Sequence, residues 1–361
     1  MGIHASIDTY KTIGIPGGTF GVEFLKDGGS SPDAAAGSVQ QLTTMDGPPP
    51  HSRQQLYQLW WHQRLFDDKL ILQIGKVNGS GIFGNVQVPV AISDPRLQDH
   101  DITNLLFVPV GLNPTLFARL PSYPNTGYGA VVHYAPTKEF YASYGLFDAN
   151  GIHGKQTGLD AGPDINTYKL HIGELGYSWR LGEERKPGRF GIGEWWQTGE
   201  LYTPALTTEN GATGFYLFAN QRLWYQHPNV DDAGLIGYSQ FGHTDANTQA
   251  VKTYFGAGLT GLRLIPGRPA DQVSIGTAWS WLNGMPGAGA FFYPDAASKS
   301  TDLGSNEFMF QAVYQTTFFF KVPRGFWSLT PVAAYTLIPN PGQRPDLPAA
   351  NVISLRLVTL F

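Results

Sequence analysis

The sequence predicts an all-β chain folded as a membrane-spanning antiparallel β-barrel. Three observations predict it: strands that come in pairs, connections that alternate short and long, and aromatic residues gathered towards both ends of the strands. The 361 residues are 42% hydrophobic and 13% aromatic, with 44 glycines and 26 prolines, yet the mean hydropathy is only −0.17. Nowhere do about 18 apolar residues run together, the length that a spanning helix needs. A barrel needs no such run, because its strands alternate apolar and polar residues and average out as mildly polar. The chain has no cysteine, which excludes disulfides, thiolate metal sites and a cysteine nucleophile. Its net charge of −4 argues against nucleic acid as a partner. The opening "MGIHASIDTY" has neither the basic start nor the apolar core of a secretory signal.

Taken in order, residues 3–11 read as a first strand, turning at "GIPGG" (14–18) into "TFGVEFLK". A hairpin follows near 53–77, "SRQQLYQLWWHQRLF" and "KLILQIGKV" joined through Asp67 and Asp68, and another at 127–147, closed by "PTK". Further pairs occupy 168–199, 213–243, 253–282 and 306–337, and "NVISLRLVTLF" (351–361) ends the chain. Between them lie Gly/Pro/Asp-rich stretches at 27–52, 78–126, 148–167, 283–304 and 338–349. Helical periodicity is confined to 102–119. Short turns on one side and long loops on the other are the asymmetry of an outer-membrane barrel, with the long loops outside.

The aromatic residues mark the two membrane surfaces. Trp61, Trp179, Trp224, Tyr225, Phe320, Trp327 and Phe361 lie near short turns or the end, while Trp195, Trp196, Trp279 and Trp281 lie towards long loops. Rings that are apolar with a polar edge settle at membrane–water interfaces. A soluble propeller or sandwich would bury such aromatics in a core, but no blade-length repeat is present. In the final strand Ile353, Leu355, Leu357 and Phe361 share one face with Thr359, and Asn351, Ser354 and Arg356 lie on or around the other. The expectation is a lipid-facing terminal strand that pairs with the first strand and seals the barrel.

"GLRLIPGRPADQVSIGTAW" (261–279), "LYQLWWHQRLFDDKLILQIGK" (56–76), and the closing "TPVAAYTLIPNPG" with "NVISLRLVTLF" resemble the carbohydrate-selective outer-membrane porins, the OprB-like family. The resemblance runs in order from "IPGGTFGVEF" (15–24) to Phe361. It implies a single barrel domain over residues 1–361, of about sixteen strands around an aqueous channel, in the bacterial outer membrane. It also implies passive diffusion of monosaccharides such as glucose and of similar small polar solutes. The terminal aromatic, Phe361, would match the family's signal to the barrel-assembly machinery. A homo-oligomer is implied by analogy alone. Some members carry cysteine in a long loop, and its lack here leaves 78–126 free to fold differently.

Counting strands gives about fifteen, where single-chain bacterial barrels have an even number. One account is a strand overlooked at "SVQQLTTM" (38–45), though inserting it would invert every later turn and loop. The other is that one upward strand and a signal peptide are encoded ahead of Met1. On that account the first and last strands meet at a seam or as parallel neighbours.

Selectivity must come from whatever narrows the lumen. A sugar asks for hydrogen-bonding groups around its hydroxyls and a flat aromatic surface for its C–H face. Parity and the cost of a lipid-facing charge, about 2–4 kcal/mol for a midplane Arg, nominate inward residues: Gln54, Gln58, His62, Glu174, Glu194, Trp196, Asn220, Arg222, Gln240, Glu307, Gln311 and Arg356. Each could equally be ordinary wetted wall or half of an internal ion pair. Glu194–Trp196 with Asn220–Arg222 make the expected constriction. Lys76 shares parity with Leu70, Leu72 and Ile74, so either a bulge turns it inward or it sits at the rim. Nothing points to catalysis or a cofactor: the nine histidines are scattered, and no Ser-containing elbow or HExxH occurs. Asp94, Asp99 and Asp101 could hold calcium, but solvated surface charge is the simpler reading. The competing class is an outer-membrane enzyme or an adhesion or scaffolding barrel.

Overall fold

The computed structural model describes residues 1–45, 52–87, 102–150, 163–228, 230–323 and 325–360. Sixteen strands follow in order: β1 (Gly2–Asp8), β2 (Gly18–Asp27), β3 (Arg53–Leu65), β4 (Leu70–Val77), β5 (Gly127–Tyr134), β6 (Phe140–Asp148), β7 (Lys169–Leu181) and β8 (Lys186–Tyr202). The second half holds β9 (Thr208–Tyr225), β10 (Gly234–His243), β11 (Val251–Leu262), β12 (Gln272–Leu282), β13 (Asn306–Gln315), β14 (Phe318–Val322), β15 (Gly325–Ile338) and β16 (Ala350–Leu360). Each strand is antiparallel to its neighbours along the sheet. β13 and β14 lie end to end along the one partner β15, against Val332–Leu337 and Gly325–Leu329. They are two halves of a single pass interrupted at Thr316 and Thr317. The sixteen strands therefore make fifteen crossings.

Period-two alternation explains why these segments are strands. In β12, Gln272, Ser274, Gly276, Ala278, Ser280 and Leu282 are buried, whereas Val273, Ile275, Trp279 and Trp281 are exposed. Large apolar side chains exposed on one face of every long strand are stable only against lipid, and the other face surrounds the lumen. Both aromatic belts are present: Phe320 stacks on Trp327 beside a short turn, and Trp279 lies tilted against Trp281 at the long-loop end of β12.

Three expectations are corrected, and one of the two accounts of the odd count falls. β16 is hydrogen-bonded to β15, and β1 to β2; among the described residues the two strands do not pair with each other, so the terminal strand does not seal the barrel. β1 ends at Asp8, where that carboxylate caps the short helix α1 (Thr9–Ile13). Residues 38–45 form no strand, so the count stays odd. Residues 102–119 hold two single 3₁₀ turns, Val108–Val110 and Pro114–Leu116, because Pro109 and Pro114 set φ but cannot donate within a longer helix.

What fills the lumen matters most. Val39 and Leu42 from the β2–β3 connection are buried, as are Phe83, Val86, Leu105, Phe107, Val110 and Leu116 from the β4–β5 connection. They pack inward against wall residues including Trp195, Tyr216, Phe218, Tyr254 and Met309. The described parts of both connections thus fold into the barrel and build an apolar core there. At about 25 cal/mol per Å² of apolar area removed from water, that burial holds the loops in.

Candidate functional site

The buried acids of the wall act as fasteners for these loops. Glu174 on β7 accepts from the Gly84 amide (2.7 Å) and from the hydroxyls of Tyr141 (2.7 Å) and Tyr216 (2.8 Å). Beside it Arg189 donates to the Asn85 carbonyl at 2.7 Å and lies 4.7 Å over the Phe218 ring. Across the barrel Glu307 accepts from the amides of Val39, Gln40 and Gly342 and from the Ser38 hydroxyl. Gln311 accepts from the amides of Leu106 and Phe107 and donates to the Thr336 hydroxyl and the Leu42 carbonyl. A carboxylate that collects several N–H and O–H donors is satisfied without solvent, the condition for burying a charge. Within the loop, Arg119 donates to Gln249 and Thr248 of the β10–β11 connection. Burial pushes its guanidinium down to about 9, with Glu209 opposing.

The residues nominated from sequence therefore separate into distinct roles. Glu174, Glu307, Gln311 and Gln240 face inward, but each is at most 2% exposed and spent on loop contacts. Arg356 also faces inward, opposite Val332, and donates to the Thr43 and Thr44 hydroxyls. Asn220 and Arg222 face inward near a short turn; Arg222, 1% exposed, donates to the Asp232 carbonyl and lies over the Tyr225 ring. Gln54 is exposed, out of register with the inward pairs Arg53–Asp27 and Gln55–Leu25.

Glu194 and Trp196 face outward, so the expected constriction between them and Asn220–Arg222 does not exist. In β8 the inward position is Trp195, fully buried, while Phe190, Ile192, Glu194 and Trp196 form the exposed row. Trp196 stacks on His171 (4.6 Å, 5°), whose Nδ1 is 2.6 Å from the Tyr144 hydroxyl. The adjacent tryptophans made parity ambiguous, and the lipid cost of a carboxylate chose the wrong register. That cost falls to about 0–1 kcal/mol near the interface, where this aromatic belt sits.

Lys76 is resolved by backbone geometry. Gly75 adopts φ +137° with no room for a Cβ against the Leu59 carbonyl. Lys76 is fully buried, and its ammonium donates to the Leu56 carbonyl at 2.5 Å. That carbonyl adjoins a bulge in β3, where the register against β2 shifts between Glu23 and Phe24.

Among the described residues a stretch of inward wall on β2 and β3 stays half-exposed, with Trp60 also packing in part against the lumen core. Register pairs Glu23 with Gln58, Gly21 with Trp60 and Thr19 with His62, and Phe20 with the outward Trp61. All of Glu23, Gln58, Trp60 and His62 are half-buried. Gln58 donates to Glu23 at 2.8 Å and accepts from the Asn78 amide at 3.1 Å. Trp60 lies flat over Gly21, where a Cβ would strike its ring, and meets His62 edge-on at 6.1 Å. Gln58 and His62 were legible by parity. Trp60 and Glu23 were missed, although Trp61 in the lipid belt already assigns its neighbour to the lumen. Phe361, Asp94, Asp99 and Asp101 lie outside the described residues.

The model of the carbohydrate-selective porin, OprB family, matches residues 1–361. No curated protein sequence matches the chain. Among solved structures, the high-pH structure of Pseudomonas putida OprB is 19% identical, with a TM-score of 0.75 over 99% of this chain and 87% of that one. The low-pH structure of the same protein gives 13% identity and a TM-score of 0.55 over 99% and 84%. At these identities the likeness speaks for the fold.

Proposed function

This chain belongs to the carbohydrate-selective porin, OprB family, and from that premise we propose that its sugar path runs along the β2–β3 wall. It is an outer-membrane porin for sugars. The observation that carries the path is the Trp60 ring, half-buried and flanked by the Gln58–Glu23 pair and His62. An aromatic plate takes the C–H face of a pyranose, and the carboxylate and amide beside it exchange hydrogen bonds with its hydroxyls. A sugar leaving bulk water loses hydration, and these groups restore part of it at several weak sites. Passage requires such weak binding, since tight binding would arrest the solute.

Among the described residues the wall opposite is occupied by the fastened loops. We read residues 1–361 as one barrel domain whose activity is passive conduction. Among the described residues the histidines sit apart, on β1, β3, β5, β7, β10 and the turn at His227, with no nucleophile, base and orienting group assembled.

The test is current through single channels in planar bilayers with glucose added. Trp60→Ala is expected to weaken glucose block about 2- to 12-fold, the 0.5–1.5 kcal/mol that aromatic contacts contribute beyond their area. Trp196→Ala, on the lipid face, is expected to leave it unchanged. Equal block in the Trp60 variant and the unaltered protein would move the path elsewhere.

A further inference from the structure

The lipid face of the barrel carries a hollow. From β9 to β12 the register sets Ala219, Ser239, Ala257 and Thr277 in one outward row across four strands. The row above it, towards the long loops, is Leu217, Phe241, Phe255 and Trp279. The row below, towards the short turns, is Gln221, Gly237, Leu259 and Ile275. Small side chains between large ones leave a space of about 480 Å³, bounded beyond Thr277 by Phe310. Gly237 breaks the lower row. A Cβ there would lie 3.2 Å from Leu223 and 3.5 Å from Leu259, so the hollow opens between these two side chains towards the short turns.

Two cations converge on that opening. Lys186 reaches across from the start of β8, with its ammonium 3.4 Å from the Leu223 carbonyl and 3.1 Å from Glu184. Arg263, just past β11, meets Asp232 in the β9–β10 turn at 2.5 Å. Both cationic side chains remain partly exposed. One carboxylate uses only part of the three donors of an ammonium or the five of a guanidinium. Trp224, exposed at the same end of β9, marks the depth where headgroups meet hydrocarbon. What covers the hollow is fixed by its setting, because the outward face of an outer-membrane barrel is bathed in lipid. A second barrel would rest its convex wall on the Phe241 and Phe255 rim and leave the space empty, its lining deprived of contacts. A flexible acyl chain can enter it.

We propose that this hollow binds one phospholipid of the leaflet on the short-turn side. An acyl chain enters through the Gly237 gap and lies along Ser239 and Ala257, and the phosphate is held by Lys186 and Arg263. Phosphate oxygens accept charge-assisted hydrogen bonds from both cations. Holding chain and phosphate together means that both contacts must break before the lipid leaves. This lipid therefore outlasts those that touch the wall by a chain alone.

The test is native mass spectrometry of the 361-residue protein, released from detergent after titration with palmitoyl-oleoyl phosphatidylglycerol. Palmitoyl-oleoyl glycerol, which has the same chains and no phosphate, is titrated in parallel. The expected result is one phosphatidylglycerol per chain bound ahead of any further lipid, and weaker binding of the glyceride. Gly237→Leu fills the gap and should weaken binding roughly tenfold, the contact of about two methylene groups. Ala257→Leu fills the floor and should do the same, which separates loss of the hollow from any effect peculiar to the glycine. Ala130→Leu on β5, outward beside Ile74, should leave binding unchanged. Lys186→Gln and Arg263→Gln should each weaken it about fivefold, with heat resistance on unboiled gels retained. Binding by Gly237→Leu and Ala257→Leu equal to that of the unaltered protein would overturn the proposal, and so would glyceride binding as tight as phosphatidylglycerol. Lipids that add with no preferred first one would overturn it too. So would particles of two chains that Gly237→Leu reduces to one, since the occupant would then be a second copy.

Discussion

The wall from β5 to β13 and the wall from β15 through β16 to β1–β3 have similar residue types and opposite fates. On the first, acids and amides are sealed: Glu174, Gln240, Glu307 and Gln311 are each no more than 2% exposed and hold infolded loops. On the second, Glu23, Gln58, Trp60 and His62 remain half open to the lumen, and among the described residues β1 pairs only with β2 and β16 only with β15. The difference teaches that an inward charge in a barrel is not by itself a solute contact. A charge covered by loop amides is structure, and one left beside a half-open ring is free to meet solute.

The largest expected effect breaks the sealed side. Glu174→Ala removes the acceptor for one amide and two hydroxyls. A buried donor left without its acceptor costs about 1–3 kcal/mol. The 83–86 turn should release from the wall, raising single-channel conductance and lowering the temperature at which the folded form disappears from unboiled gels. Glu174→Gln keeps one acceptor oxygen and should fall between. If conductance and heat resistance of Glu174→Ala match the unaltered protein, the fasteners are not holding the loop.

A smaller effect belongs to the open side. Glu23→Ala removes one acceptor from the accessible strip and frees Gln58. One hydrogen bond at about 1 kcal/mol corresponds to roughly fivefold weaker glucose block, with heat resistance unchanged. A large loss of stability with unaltered sugar block would place Glu23 among the fasteners and erase the contrast between the two walls.

These two walls also explain what was readable in the sequence. Strand pairs, turns, belts and the odd count follow from period-two alternation, which is local, so they were legible residue by residue. That same rule reads Gln58, His62, Asn220, Arg222, Glu307, Gln311 and Arg356 as inward, and the strand register sets them on the inward side. It reads Glu194 and Trp196 as inward too, where the strand sets them outward, because two adjacent tryptophans fit either register. Which inward residues are covered was not legible at all. Glu307 reaches Val39 across 268 positions and Gln311 reaches Leu106 across 205, and nothing in a strand's own pattern reports a loop arriving from so far away. The odd count also made a seam between the first and last strands one of the two ways in which the ends could meet.

The smallest expected effect lies above the open wall, where the β12–β13 and β15–β16 connections meet. Asp346 accepts from the Lys299 amide at 2.6 Å and the Ser298 hydroxyl at 2.7 Å. Those bonds hold its carboxyl below the usual carboxylate range, which centres near 3.9. The sign follows from linkage: a carboxyl with a depressed folded pKa contributes its stability above its free value and loses it as pH falls through the folded one. The contact is fully exposed, so screening keeps it weak, and overall barrel stability should not move. Amide exchange at 298–300 should nonetheless accelerate as pH is lowered below about 4, once the intrinsic pH dependence of exchange is divided out. Asp346→Asn should exchange at one faster rate across that range, because its single amide oxygen can accept only one of the two bonds, and without the charge. Exchange at 298–300 that is indifferent to both the acid and the substitution would mean that the two connections are held by their other bonds, chiefly Gln343 accepting from Ser305 and Asn306, and that the open wall is roofed without Asp346.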